Sequence, residues 1–414
     1  MSFRSEFSLP TDRQQVMARI PTFLLFVLAA YLLFSFGGNL IQIYLYRDGG
    51  LDFRVGYLPA VTQLLNGQSP YLDLPAGPIA RYASGYSYVY PPTFAWLLTP
   101  FLALPAQTAT LLWLGLQTIL LCLAVWIAAI AAGARKRVRL ILLLIIATIL
   151  YIPTYDALQT GNVGVIITLG MALLLRSALI RPEGDKASGA IATALGVLKL
   201  TPGLVLLPLL VNNPRKYLPS ALVTLAILVI PFFLLNPGAW LDYAQVPFRL
   251  AAGSVWYHNN FALATVLAYH WPASAPLIPA IRLATPLLAL GLLGLSILKA
   301  RQFGGLPAAL ILAYTASLLL MGVVWGNYFE ALLPGFIIVW IKTGRRGRLG
   351  LSLGYLLLWS GLVWPPLETT GMILIIIITL KILWSNTIRE VSPDLQERII
   401  SRRLQIKDLA RDVT

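Results

Sequence analysis

Long apolar runs recur along almost the whole chain, and they limit its folding choices more than any other feature. Crossing a hydrocarbon core of about 30 Å takes roughly 20 apolar residues wound as a helix. Ten stretches qualify as crossings: 20–44, 107–132, 139–153, 163–180, 217–236, 276–298, 305–324, 329–341, 349–365 and 370–385. Several are short, so tilt or flanking residues must complete them. With 58% hydrophobic and only 11% charged residues, against about 25% charged in a soluble domain, the chain cannot cover a globular surface with ionic groups. That excludes an ordinary soluble enzyme. The expected fold is all-α and polytopic, with a cytoplasmic N-terminus over 1–19, a membrane domain over 20–385 and a tail over 386–414. The first run is about 25 residues long and lacks a small-x-small cleavage site, so it reads as a retained helix rather than a secretory signal.

Charge placement orients these crossings. The 31 Lys and Arg outnumber the 16 Asp and Glu, giving +15, which in a soluble protein would suggest nucleic acid. Short loops rich in Lys and Arg stay on the cytoplasmic side, and assigning the N-terminus, 135–139, 176–186, 215–216, 299–301, 342–348 and 381–414 inside collects 25 of the 31. The excess charge therefore encodes topology, and no nucleic-acid partner is expected. In the tail, Arg398, Arg402 and Arg403 alternate with Leu395, Ile399, Ile400, Leu404 and Ile406, the pattern of a basic amphipathic helix on an anionic inner leaflet.

The same parity exposes two irregular segments. Residues 188–211 are apolar enough to cross, yet basic loops flank both ends and Lys199-Leu200-Thr201-Pro202 interrupts the middle. A re-entrant pair of half-helices fits better, and such a break is tolerated only where protein buries it or a cavity lies beside it. Residues 91–105, opening on Pro91-Pro92, must likewise start and end outside. The outer loops 45–90, 154–162, 237–275 and 325–330 concentrate Tyr, Trp, Asn, Asp and Gly, whereas the inner loops are short and merely basic. Any active site is expected at the outer membrane face.

Within the first outer loop, Asp52 precedes Phe53, Tyr57, Val61 and Leu64, an apolar stripe at near-helical spacing that suits an interfacial helix kinked at Pro59. Asp52 reads either as the N-cap of that helix or as a carboxylate at a cavity rim, placed to act as general base. Asp48, Asp156 and Asp242 lack the surrounding pattern and are weaker candidates. Tyr71, Tyr82, Tyr86, Tyr88 and Tyr90 form either an interfacial belt or a pocket whose ring faces stack on a sugar. An ionisable residue at membrane depth costs at least about 2.5 to 3.5 kcal/mol, so a functional role is the default reading. Lys199 and Arg282 are the leading cations for a phosphate, with Arg54 and Arg81 as alternatives. His258, Asn259 and Asn260 make a polar cluster in the second long loop. Asn327 and Tyr328 sit where a helix re-enters the membrane, and Glu330 reads as a cap or as a partner for Arg282. The lone Cys122 and two histidines supply neither a disulfide framework nor a metal cluster, and no metal or cofactor is expected.

Taken in order, Asp52, Asn66-Gly67-Gln-Ser-Pro70-Tyr71, Tyr90-Pro91-Pro92, Gln159-Thr160-Gly161-Asn162, and Gly189 followed by Leu198-Lys199-Leu200-Thr201-Pro202 resemble the polyprenol-phosphate-mannose-dependent glycosyltransferases of family 87 over roughly residues 20–345. The resemblance implies a GT-C helical bundle, and the lack of targeting signals leads to the expectation of a plasma membrane location. The resemblance also implies transfer of a sugar, mannose favoured, from a polyprenyl-phosphate donor to a glycan or glycolipid acceptor on the outer side. It makes Asp52 the catalytic base. Together with the residues singled out above, the candidates for substrate binding are Tyr71, Tyr90, Gln159, Asn162, Lys199, Asn259, Asn260, Arg282, Asn327 and Tyr328. One carboxylate suffices for inversion by direct displacement, because no glycosyl-enzyme forms; the paired scheme belongs to hydrolases. The rival readings are a secondary transporter or flippase, which would also use broken helices but usually shows repeated halves, and a non-catalytic scaffold.

Overall fold

The computed structural model describes residues 49–71, 88–134, 137–181, 185–248, 260–360 and 365–385. The expected first crossing at 20–44, the tail, Arg81, His258 and Asn259 lie outside the described residues. Among the described residues every regular element is helical, and one isolated antiparallel bridge pairs Asn260 with Trp325.

Among the described residues, four helices are long and apolar enough to cross a membrane: Ala106–Ala131, Pro214–Leu235, Ile278–Ala300 and Pro366–Ser385. A fifth span is available if the bent pair Leu140–Ile149 and Ile152–Thr160 counts as one. Other expected crossings are present as helices but are shorter: Gly164–Ile180 has 17 residues, Leu306–Leu319 has 14 and Leu333–Lys342 has 10, while Arg345–Ser360 runs to the edge of the described residues. At 1.5 Å per residue even 17 residues reach only about 25 Å. Ten full crossings are therefore not what the described helices provide. Apolar runs in the sequence pass unbroken through 3-10 turns, so run length overstates helix length.

The helices pack as sequence neighbours, with Ile278–Ala300 against Leu306–Leu319 and Arg345–Ser360 against Pro365–Ser385, while Ala106–Ala131 lies against Gly164–Ile180. Every residue from Leu306 to Leu318 is buried, as befits a helix that is apolar all round at the centre of a bundle. Pro214–Leu235 and Ile278–Ala300 instead expose Leu222, Ile227, Leu234, Leu283, Leu287 and Leu290, the outward face that a bilayer covers.

Three departures from the sequence reading matter for the site. The run 139–153 is not a straight crossing: the chain bends by 64° between Ile149 and Ile152, beside Pro153, and 154–160 is helical rather than loop. The 188–211 segment breaks as expected, into Ala187–Leu198, a 3-10 turn Thr201–Val205 and Leu206–Asn212. Its two arms meet backbone to backbone, since a Cβ on Gly196 would sit 2.9 Å from the Gly203 Cα. Finally, the stripe Phe53, Tyr57, Val61 and Leu64 is real but not interfacial, for all four are at most 3% exposed. Aromatic partners account for the difference: Phe53 stacks on Trp113 with centroids 5.1 Å apart, and Tyr57 meets Phe94 edge-on at 4.9 Å.

Candidate active site

Asp52 opens a wide π-helical turn, Asp52–Tyr57, that passes at Leu58 into the α-helix Leu58–Leu65. Pro59 lies at the start of that α-helix, where its missing N–H removes a backbone bond and the winding changes. Single π turns inside helices are frequent at functional sites. The N-cap position belongs to Leu51, and Asp52 makes no capping bond. Its carboxylate turns across the fold, where Oδ2 accepts a 2.6 Å hydrogen bond from Asn162 Nδ2.

Asn162 stands at the elbow between Ile152–Thr160 and Gly164–Ile180. Gly161 ends the first helix in the left-handed region at φ 70°, the conformation for which glycine is favoured. The elbow then seats Asn162 with every polar group used. Nδ2 serves both Asp52 and the Tyr90 hydroxyl at 3.0 Å, Oδ1 accepts from the Gly164 N–H at 2.9 Å, and the backbone N–H donates to the Ala157 carbonyl at 2.9 Å. A Cβ on Gly161 would lie 3.1 Å from the Gly50 Cα and 3.3 Å from the Trp113 ring. Gly161→Ala is therefore expected to cost about 1–2 kcal/mol from backbone conformation alone and to spoil the seat of Asn162. A thermal melt in detergent, run beside an activity assay, checks this. An unchanged melting temperature would show that the elbow tolerates a side chain.

Lys199 reaches the same region from the break in 187–212. Its backbone is extended, φ −155° and ψ 119°, and its side chain is only 8% exposed. The ammonium lies 3.1 Å from the centroid of the Tyr328 ring and 5.6 Å from that of Tyr90. Among the described residues, no carboxylate forms an ion pair with Lys199 at contact distance. Burial pushes the Asp52 carboxyl up to about 6, with the Asn162 bond and the Lys199 charge pulling the other way.

Other expected residues have different placements. Tyr71 is buried and donates to the Tyr90 carbonyl at 2.6 Å, so these rings form a packed cluster rather than a surface belt. Gln159 contributes its backbone carbonyl, which accepts from the Gly50 N–H at 2.8 Å. Asn260 latches two loops together: its Oδ1 accepts from the Ala262 and Val324 N–H groups at 3.0 and 2.9 Å. Asn327 is buried, and its N–H donates to Asp156 Oδ2 at 3.1 Å. Arg282 is exposed on Ile278–Ala300, whereas Asp52 and Lys199 are turned into the fold. Glu330 is fully buried with both carboxyl oxygens lacking hydrogen-bond partners; it forms neither a cap nor a pair with Arg282.

Two features were not anticipated. Asp156, Glu330 and Glu368 surround the elbow's far side: a Cβ on Gly326 would be 3.5 Å from Asp156 Oδ2 and 3.8 Å from Glu368 Oε1, and one on Gly164 would be 3.1 Å from Glu330 Oε2. Glu368 belongs to the helix Pro365–Ser385, and an acid at membrane depth was the available signal. Among the described residues, no three His, Cys, Asp or Glu side chains form a group that could hold a metal ion. The second feature is polar reach from inside Ala106–Ala131, where Trp113 Nε1 donates to the Gly161 carbonyl at 2.7 Å and Gln117 Nε2 to the Asn162 carbonyl at 2.6 Å.

A family model described as Glycosyltransferase family 87 matches residues 88–326, more than half of the chain. The matched span contains Tyr90, Asn162 and Lys199 and begins after Asp52. Among solved structures, the crystal structure of ArnT from Cupriavidus metallidurans bound to undecaprenyl phosphate is similar at a TM-score of 0.45 and 14% sequence identity, over 86% of this chain and 77% of that one. No curated protein matches the chain.

Proposed function

The chain belongs to glycosyltransferase family 87, and from that premise we propose that it is a GT-C transferase moving a hexose or pentose, mannose favoured, from a polyprenyl-phosphate carrier to a glycan or glycolipid hydroxyl at the outer face of the plasma membrane. One observation carries the reading. The Asp52 carboxyl and the Lys199 amine share a buried site, held by separate elements, and among the described residues neither has a contact ion pair.

Direct displacement needs those two groups. The acceptor oxygen bonds to the anomeric carbon while the bond from that carbon to the phosphate oxygen breaks, and the electron pair leaves with the polyprenyl phosphate. Asp52 takes the hydroxyl proton, for which it must stand about 2.6 to 3.2 Å from that oxygen. Lys199 stabilises the charge that grows on the departing phosphate. The Tyr90 and Tyr328 rings hold the ammonium through their π faces, so its charge stays available to the donor. Asn162 aims the base, and Tyr71 fixes Tyr90. Asn327 and Gln159 support this frame through their backbones and Asn260 clasps its loop, while Arg282 and Asn259 are proposed as further substrate contacts.

The reading sets a pH dependence. As a base Asp52 works ionised, and with its carboxyl near 6 the transfer rate is expected to level off above that pH and to fall about tenfold per unit below it. A pH profile in reconstituted membranes tests the sign, and a rate flat to well below 6 would exclude Asp52 as the base. Substrate identity is tested by incubating membranes containing the full chain with a panel of radiolabelled polyprenyl-phosphate sugars. Transfer from one of them to a membrane acceptor is expected. Net movement of intact lipid-linked sugar across the bilayer, without transfer, would instead support a flippase.

A further inference from the structure

We propose that Gln117 is a positioning residue for this centre, holding the Asn162 backbone from within the helix Ala106–Ala131 so that the Asn162 amide stays aimed at Asp52. The proposal rests on Asp52 being the base.

A glutamine midway along an apolar span is costly there and calls for a reason. Gln117 is 0% exposed, and its Nε2 donates at 2.6 Å to the carbonyl of the residue whose side chain holds Asp52. One turn earlier, Trp113 donates to the Gly161 carbonyl at 2.7 Å and stacks on Phe53, the residue following Asp52, with planes 10° apart. A turn earlier again, Thr110 lies against Gly50, where a Cβ would meet its methyl group at 2.6 Å. Residues 110, 113 and 117 share one helix face. One rigid rod thus touches the chain at Gly50, Phe53, Gly161 and Asn162, on both sides of the Asp52–Asn162 bond.

The carbonyls of 161 and 162 leave one helix before the next begins. Such groups have no intrahelical partner, and beneath a membrane surface water does not substitute freely. Without Gln117 the Asn162 carbonyl would seek another donor, rotating the peptide and its side chain with it. The bland alternative is that Gln117 is only glue between Ala106–Ala131 and Gly164–Ile180. Its own Oε1 has no partner, which fits a residue placed for one outgoing bond.

The test uses the full chain in reconstituted membranes with the labelled donor found above, reading pH profiles for wild type, Gln117→Leu, Gln117→Met and Asn162→Ala. Gln117→Leu is expected to lower kcat on the order of ten- to a hundredfold, the scale of a small misplacement of a catalytic group, with donor KM little changed. Its acid limb should move to higher pH, because a carboxylate that loses a hydrogen bond to its charged form protonates more readily. Asn162→Ala should move the limb the same way, and adding Gln117→Leu to it should shift the limb no further. Gln117→Met keeps the length and volume while removing the donating amide, so it carries the test if the leucine variant fails to fold. An acid limb at the wild-type position in whichever Gln117 variant folds would overturn the proposal, whatever its rate. Should Asp52→Asn remain fully active, the base assignment itself falls. With Asp52→Asn inactive and the Gln117 limb unmoved, only the positioning role is lost.

Discussion

Asp52→Asn is expected to reduce transfer by about 10²- to 10⁴-fold, the usual contribution of a positioned general base, while leaving the fold intact. The asparagine keeps the shape of the carboxylate and an oxygen that still accepts from Asn162 Nδ2, which lies 2.6 Å from Asp52 in the native site. What disappears is the capacity to take a proton. The sign for stability follows from the direction of the carboxyl shift. Since burial raises Asp52 from 3.8 to about 6, the folded state binds its proton more tightly than the unfolded chain does. Ionising Asp52 as pH rises through that value therefore weakens the fold, and a neutral asparagine removes this cost. The melting temperature of the variant near pH 7 is expected to equal or exceed that of wild type. An inactive variant with equal or higher stability would mark a group kept for chemistry at some expense to the fold. A variant of undiminished rate would remove Asp52 from the mechanism.

Lys199→Met should have the second largest effect, on the order of 10²- to 10³-fold in kcat, as for loss of one preorganised group facing a developing negative charge. Methionine keeps a flexible apolar stem between the Tyr328 and Tyr90 rings, where the ammonium now lies 3.1 and 5.6 Å from their centroids. The donor phosphate is charged before the reaction as well as during it, so donor KM should rise alongside the fall in kcat. Lys199→Arg is expected to recover little, because a planar fork does not occupy a site shaped around a point charge. Initial rates across donor concentrations separate the two parameters. Unchanged kinetics in the methionine variant would reassign the phosphate to another cation, with Arg54 next in line.

These two residues were legible in the sequence for different reasons. Lys199 stood out because basic loops on both sides of 188–211 leave no room for a simple crossing, a constraint of charge and length that survives folding. Asp52 was identifiable from its neighbours, although the capping role offered for it was wrong: its partner is 110 residues away, and no local pattern encodes that bond. The same distance hid Gln117 and Trp113, whose acceptors lie 45 and 48 residues along the chain. Within an apolar run they read only as a polar interruption and a bulky ring. Hydropathy registered where the chain is apolar but not where it bends, so the 64° turn beside Pro153 passed for an uninterrupted span. Composition likewise could not separate Asn260, whose amide is spent on clasping backbone, from an asparagine that meets a ligand.

The close approach of Gly196 and Gly203 has a mechanical meaning. With only hydrogen atoms between the two arms, the hairpin that bears Lys199 is as narrow as a polypeptide permits, and it has no slack through which its tip could retreat. In the proposed transfer Lys199 would then act like a fixed electrode, set at its working distance before the donor arrives.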